Sequence, residues 1–152
     1  MSENSCLPLG RFPYIHVREP EIAHHVLTRV IGPLDVTAAG KSSDLDWRLN
    51  RVDLGPVALL VGRTRGDWIL RGESSCYLVI VPRSGHARVQ QPHDDTQLAA
   101  GKVGVLISPA TRTRWHVATE VSNLTVRFER AFLEAQLEAL TGVAPSGMLT
   151  FA

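Results

Sequence analysis

Apolar residues recur along this chain in two different periods. Between residues 20 and 30, Ile22, Ala23, Val26, Leu27 and Val30 are spaced as one face of a helix. Pro20 suits a first helical turn, Glu21 suits the positive end of the helix dipole, and Gly32-Pro33 stops the element. The spacing predicts a short amphipathic helix over 20–30. Residues 1–18 carry no clear period and read as a flexible leader. Residues 33–44, rich in Gly, Ser, Thr and Asp, read as a loop.

From Asp46 onward the period shortens to that of strands. Trp47, Leu49 and Val52 open an irregular strand, 57–61 is an apolar run between Gly55-Pro56 and Gly62, and 67–70 follows Gly66. The run 76–81 is apolar throughout, which implies cover on both faces, and Pro82 closes it. Ala87 and Val89 alternate with His86, Arg88 and Gln90, the pattern of one buried and one wet face. Pro92-His93-Asp94-Asp95 reads as a turn, and 97–99, 103–107, 113–117 and 122–128 add further strands. Roughly eight or nine short strands, with turn signals about every ten residues, predict a sandwich or barrel. The helical period returns with Phe132, Leu133, Gln136, Leu137 and Leu140, predicting a second helix over 130–140 that ends at Thr141-Gly142. Residues 145–152 read as extended. The chain stops just after Phe151 without a polar tail, as expected of a cut inside a longer protein.

Composition narrows the class. The 152 residues fit one domain, 19–152, behind the leader. A chain of this size buries roughly 70% of its unfolded surface and needs no metal or disulfide to fold. The net charge of +1, from 16 basic and 15 acidic residues, gives no concentrated positive face for gripping nucleic acid. The two cysteines read as a surface thiol, Cys6, and a small core hydrophobe, Cys76, as in a reducing compartment. No apolar run approaches the length of a membrane span, and the N-terminus lacks the charged-then-apolar order of a secretory signal. The expected location is the cytoplasm.

Candidate chemistry is sparse. None of the six histidines forms an H-x-H pair, and His24 and His25, adjacent on a helix, diverge too far to chelate together. His86 and His93 bracket a hairpin without an obvious third ligand. There is no G-x-S-x-G elbow, and Cys76 lies in a strand rather than at a helix N-terminus. The paired carboxylates Asp94-Asp95 belong to a turn. No catalytic residue, metal site or cofactor is singled out, and an enzyme is not expected.

Four stretches, read in order, carry a resemblance. They are LGPVALLVG (54–62), YLVIVPRSGHARV (77–89), QLAAGKVGVLISPATRTRW (97–115) and LTVRFERAFLEAQLEALTG (124–142). Together they resemble the N-terminal regulatory domain of AraC-type transcriptional regulators, over most of the chain from about residue 20. The resemblance implies a mostly β, cupin-like jelly-roll barrel with an N-terminal helix and a C-terminal amphipathic helix. It implies a small-molecule effector in the barrel, a homodimer, and DNA contacted only through helix-turn-helix modules missing from this chain. Cupin barrels often place a metal-binding histidine shortly after the proline of the third stretch. Here Thr113 stands there, between Arg112 and Arg114, and His116 comes later. A stand-alone, metal-dependent cupin enzyme is the alternative that this substitution argues against.

An effector pocket needs apolar walls, aromatic platforms and a few polar anchors. Trp68, Tyr77, Thr113, Arg114 and Trp115 are the candidates, although tryptophans on strands also serve as ordinary packing. Either Thr113, Trp115 and Val117 face inward, or Arg114 and His116 do. An inward arginine would anchor a carboxylate, whereas an inward tryptophan would stack on a ring. On the second helix, Phe132, Gln136 and Leu140 point differently from Leu133 and Leu137. That breadth favours a dimerisation seam over docking on the barrel alone. The arginines at 63, 65, 71, 83, 88, 112 and 114 mostly lie at strand ends and are not interleaved with aromatics as a single-stranded nucleic-acid surface requires.

Overall fold

A proline-led amphipathic segment, alternating strands and a glycine-stopped helix assemble around one long strand. The computed structural model describes residues 7–40 and 44–151. In chain order the elements are β1 (Pro13–Val17), α1 (Pro20–Val30), β2 (Leu34–Ala38), β3 (Asp46–Leu54), β4 (Val57–Arg65), β5 (Trp68–Glu73), β6 (Tyr77–Gln91), β7 (Asp94–Ala99), β8 (Val105–Ile107), β9 (Arg112–Val117), β10 (Glu120–Phe128) and α2 (Arg130–Thr141). The strands pair antiparallel in the order β1-β3-β4-β10-β6-β9-β5-β2, with β7 and β8 added on β6.

β6 is what curls the sheet. Its first half pairs with β10, from Tyr77↔Phe128 to Gly85↔Val121, and with β8. Its second half pairs with β7 and β9. One strand of 15 residues therefore serves both layers. Residues 77–81 and 86–90, which the sequence divides at Pro82, belong to the same element, whereas Cys76, expected in that strand, lies in the bend just before it. Pro82 is tolerated because the register shifts beside it, between Ser122 and Asn123, so the missing N–H falls at an irregularity.

Two segments expected to lack structure contribute strands. Pro13–Val17 of the presumed leader pairs with β3, and Leu34–Ala38 of the presumed loop pairs with β5. Both are sheet edges of five residues, too short for a strand period to stand out from the flanking turns. Residues 1–6 of the expected leader, with Cys6, and residues 41–43 and 152 lie outside the described residues.

α1 closes the gap between these two edges. Its residues Ala23, Leu27 and Val30 are buried against Trp47, Leu49, Leu60 and Trp68 in one core cluster. A second cluster, built on Leu78, Ile80, Val89, Leu98, Ile107, Val117 and Val121, fills the bend of β6. α2 leaves β10 on the outside, and none of its residues is buried. Its end is set by Gly142, whose left-handed backbone returns an N–H to the Glu138 carbonyl. Among the described residues no helix is long and apolar enough to cross a membrane.

The outer face of the β6–β7 hairpin is closed by charge. Arg88 donates to both carboxylate oxygens of Asp95, at 2.8 and 2.5 Å, and Gln90 adds a third bond at 3.1 Å. These bonds, Arg88's first, hold the Asp95 carboxyl down to about 2. A carboxyl depressed on folding stabilises above its unfolded pKa and loses that contribution as pH falls through the folded one. Asp95→Asn is therefore expected to melt slightly below the parent chain at pH 5, and the gap should close as pH is lowered from 4 to 2. Parallel thermal melts across that range check it; a gap that persists at pH 2 contradicts the assignment.

Candidate functional site

The two core clusters do not meet everywhere. Between them lies a cavity of about 130 Å³. Leu27 of α1 and the adjoining Ile31 form its roof, with Leu34 and Val36 of β2 and Leu70 of β5 on one side. Leu78 and Ile80 of β6, with Ile107 of β8, form another wall. The floor is the inner face of β3, β4 and β10: Trp47 and Leu49, then Leu60, Gly62 and Thr64, then Val121, Asn123 and Thr125. All three tryptophans of the chain, Trp47, Trp68 and Trp115, line this one space.

The register decides the face of β9 that the sequence leaves open. Trp115 is the Cα partner of Leu70 on β5 and of Val89 on β6, both apolar and turned inward. Cross-strand partners share a face, so Thr113 and Trp115 line the cavity. Arg114 points outward, opposite Arg71, and donates to Gln90 Oε1 at 2.9 Å. His116 also faces outward and pairs with Asp67 at 2.9 Å. The physical reason is plain: an inward Arg114 would meet no carboxylate, and an unpaired guanidinium is costly to bury.

The other sequence candidates divide. Trp68 lines the cavity and is fully buried. Its indole N–H has no partner among the described residues, and a Cβ at Gly66 would run into it, so that nitrogen sits under the β4–β5 turn. Tyr77 is not a wall of the cavity. It neighbours Leu78 on the strand and faces the other side, where its hydroxyl donates to Glu134 Oε1 at 3.2 Å and accepts the Leu149 N–H at 2.9 Å. Its ring meets Phe151 edge-on at 6.0 Å, and burial pushes its hydroxyl above the usual tyrosine range. Tyr77 thus holds α2 and the segment beyond it to the barrel.

On α2, Phe132, Leu133 and Leu137 are half-buried, Gln136 is exposed, and Leu140 is 85% exposed. Neither of its two apolar directions is fully covered. Among the described residues there is no group of three or more His, Cys, Asp or Glu side chains placed to hold a metal.

Sequence reasoning missed Trp47, Gly62, Asn123 and Thr125. On β10 the apolar residues Leu124, Val126 and Phe128 would ordinarily mark the inner face. Instead Val121, Asn123 and Thr125 face the cavity. The one available signal was the interruption of that strand by Asn and Thr at alternate positions, which is what a polar-anchored pocket requires.

Comparison with known proteins places this geometry. The crystal structure of the AraC-like transcriptional activator CuxR superposes with a TM-score of 0.65 at 15% identity, over 82% of this chain and 48% of that one. The chain thus spans about half the length of that protein. The Clostridium difficile EutQ protein superposes with a TM-score of 0.50 at 6% identity, over 58% of this chain and 71% of that one. A cupin-like protein from Thermotoga maritima gives 0.46 at 13% identity, covering 60% and 77%. These likenesses concern the fold. No curated protein matches the chain. The profile of the AraC-binding-like domain matches residues 23–151, from the first buried residue of α1 to the segment that packs on Tyr77, and the chain belongs to that family.

Proposed function

We propose that this chain is the effector-sensing half of an AraC-type transcriptional regulator and that a small molecule binds in the cavity under α1. The observation that carries the reading is the cavity itself: an apolar chamber with all three tryptophans and a few polar anchors in its walls, roofed by one short helix. Trp68, Thr113 and Trp115 are its proposed contacts from the sequence, joined by Trp47 and Asn123. Ligand and roof compete for the same apolar surface, so a ligand favours one seating of α1 over others. That is a population shift, bounded by the ligand's differential affinity for the two seatings.

The roof is tied to the outside. The Ile31 carbonyl accepts the Ser75 N–H at 2.8 Å and the Ser75 hydroxyl at 2.9 Å, and Tyr77, two residues on, holds α2. The partly covered stripe of Phe132, Leu133, Gln136, Leu137 and Leu140 is the proposed homodimer seam. DNA would be contacted by helix-turn-helix modules outside this chain, in the cytoplasm.

A ligand bound only by the folded state adds about 2.7 kcal/mol of stability at a hundred times its Kd. We expect at least one class within a panel of sugars, nucleotides, organic acids, amines and neutral aromatics to raise the melting temperature. The same class should change tryptophan emission, since every tryptophan lines the cavity. A panel in which nothing does either contradicts the reading, and strictly monomeric sedimentation at high concentration contradicts the seam.

A further inference from the structure

The chemistry of the cavity wall restricts what it takes; this inference rests on the effector reading above. Among the described residues, none that lines the cavity is ionisable. A carboxylate or ammonium entering it would give up water for no counter-charge, which is expensive in a low-dielectric interior.

The polar groups that are present converge on one notch. Gly62 of β4 lies opposite Asn123 of β10 and Leu49 of β3. A Cβ at Gly62 would sit 3.0 Å from Asn123 Oδ1 and 3.8 Å from Trp47 Nε1, so the absent side chain leaves room between an amide and an indole N–H. Thr125, the next inward residue on β10, lines the cavity two positions further along. Trp47 and Thr125 are each only 8% exposed. No side-chain hydrogen bond among the described residues uses the Asn123 amide, the Trp47 N–H or the Thr125 hydroxyl, and Asn123 itself is half-buried. Polar groups in an apolar wall gain from a partner, so these three are free to bond a molecule that enters the cavity.

Size and walls supply the rest. About 130 Å³ is the scale of a cavity that holds a single benzene-sized ring. Trp115 and Trp68 line the same cavity and offer it aromatic surface. We propose that the cavity selects a compact, uncharged aromatic molecule with one hydrogen-bonding head group, an alcohol, ketone or carboxamide, seated over Gly62. The head's oxygen accepts from the Trp47 N–H and the Asn123 amide nitrogen. A head O–H or N–H donates to Asn123 Oδ1. A carboxamide makes both kinds of bond at once.

The test uses a matched set of benzamide, benzyl alcohol, toluene, benzoate and benzylammonium, read by tryptophan emission and calorimetry on the 152-residue chain. Benzamide and benzyl alcohol should bind. Toluene, which leaves the notch unpaired, should bind about tenfold more weakly. Benzoate and benzylammonium should fall by about a hundredfold or more. Asn123→Leu keeps the side chain's size and removes the amide; it should melt no lower than the parent and lose the preference for benzamide over toluene. Gly62→Ala, which fills the notch, should weaken benzamide about tenfold or more. The proposal is overturned if benzoate or benzylammonium binds as well as benzamide, if Asn123→Leu binds benzamide unchanged, or if no member of the set binds. In that last case a response to another class in the wider panel leaves the effector reading standing, and no response there removes both.

Discussion

Trp68→Ala is expected to lower folding stability by about 3–5 kcal/mol, the range for deleting a large aromatic from a packed core. Trp68 is 0% exposed and belongs to the cluster that joins α1 to the sheets. It stands between Ala38 on β2 and Val117 on β9, so its removal opens the side wall of the cavity as well as its own site. The existing cavity makes collapse around the gap harder, because the neighbouring atoms have nothing beyond them to close upon. Against a total of about 5–15 kcal/mol this is a large fraction, and in a chain of this length it corresponds to roughly 6–20 °C in Tm. Trp68→Phe should cost far less. It gives up ring volume but also removes an indole N–H that is buried without a partner among the described residues. Urea denaturation of the two variants checks the pair of expectations, with the midpoint reading stability and the slope confirming comparable unfolding. A Trp68→Ala loss below about 1 kcal/mol would mean that the residue is not the packing centre described here.

What was legible in the sequence, and what was not, has a physical pattern. α1 came through at its observed bounds because proline, an acidic first turn and apolar spacing agree at every level. α2 and most strands came through for the same reason. The faces of β9 and β10 did not. A strand's alternation says that two faces differ without saying which is inside, and a cavity inverts the usual answer. Asn123 and Thr125 are inward, at a small polar notch in an otherwise apolar floor. Leu124, Val126 and Phe128 are outward and half-buried on the opposite face of the sheet. The continuity of β6 was hidden by Pro82 and Ser84-Gly85, which read locally as a strand end. Only the register against β10 shows that the chain bends there without stopping. Arg114 illustrates the limit on the chemical side: its sequence neighbours gave no way to choose between a carboxylate anchor and a solvated strand residue, and two cross-strand partners decided it.

That bend makes Gly85 the position at which one atom should matter most. Its φ of +73° lies in the left-handed region, and an added Cβ would collide with the Glu120 backbone carbonyl on β10. The conformational penalty for an L side chain there is roughly 1–2 kcal/mol, and displacing packed backbone adds about 1–3 kcal/mol more. Gly85→Ala is accordingly expected to cost about 2–5 kcal/mol, even though alanine is a better strand residue in general. Gly101→Ala separates the two contributions. Gly101 has a similar φ of +70°, but nothing lies within 4 Å of its added Cβ, so it should cost only the conformational part. The functional consequence should differ as well. Gly85 marks where β6 passes from β10 to β7 and β9, so forcing it apart from Glu120 separates the floor of the cavity from the wall carrying Trp115. Gly101 lies in the turn beyond β7, away from the lining residues. Ligand binding should therefore weaken with Gly85→Ala under conditions where the variant is still folded, and remain at the parent level with Gly101→Ala. Equal stability losses at the two glycines would show that the carbonyl of Glu120 yields freely, and that the curl of the sheet does not depend on the close approach at this crossing.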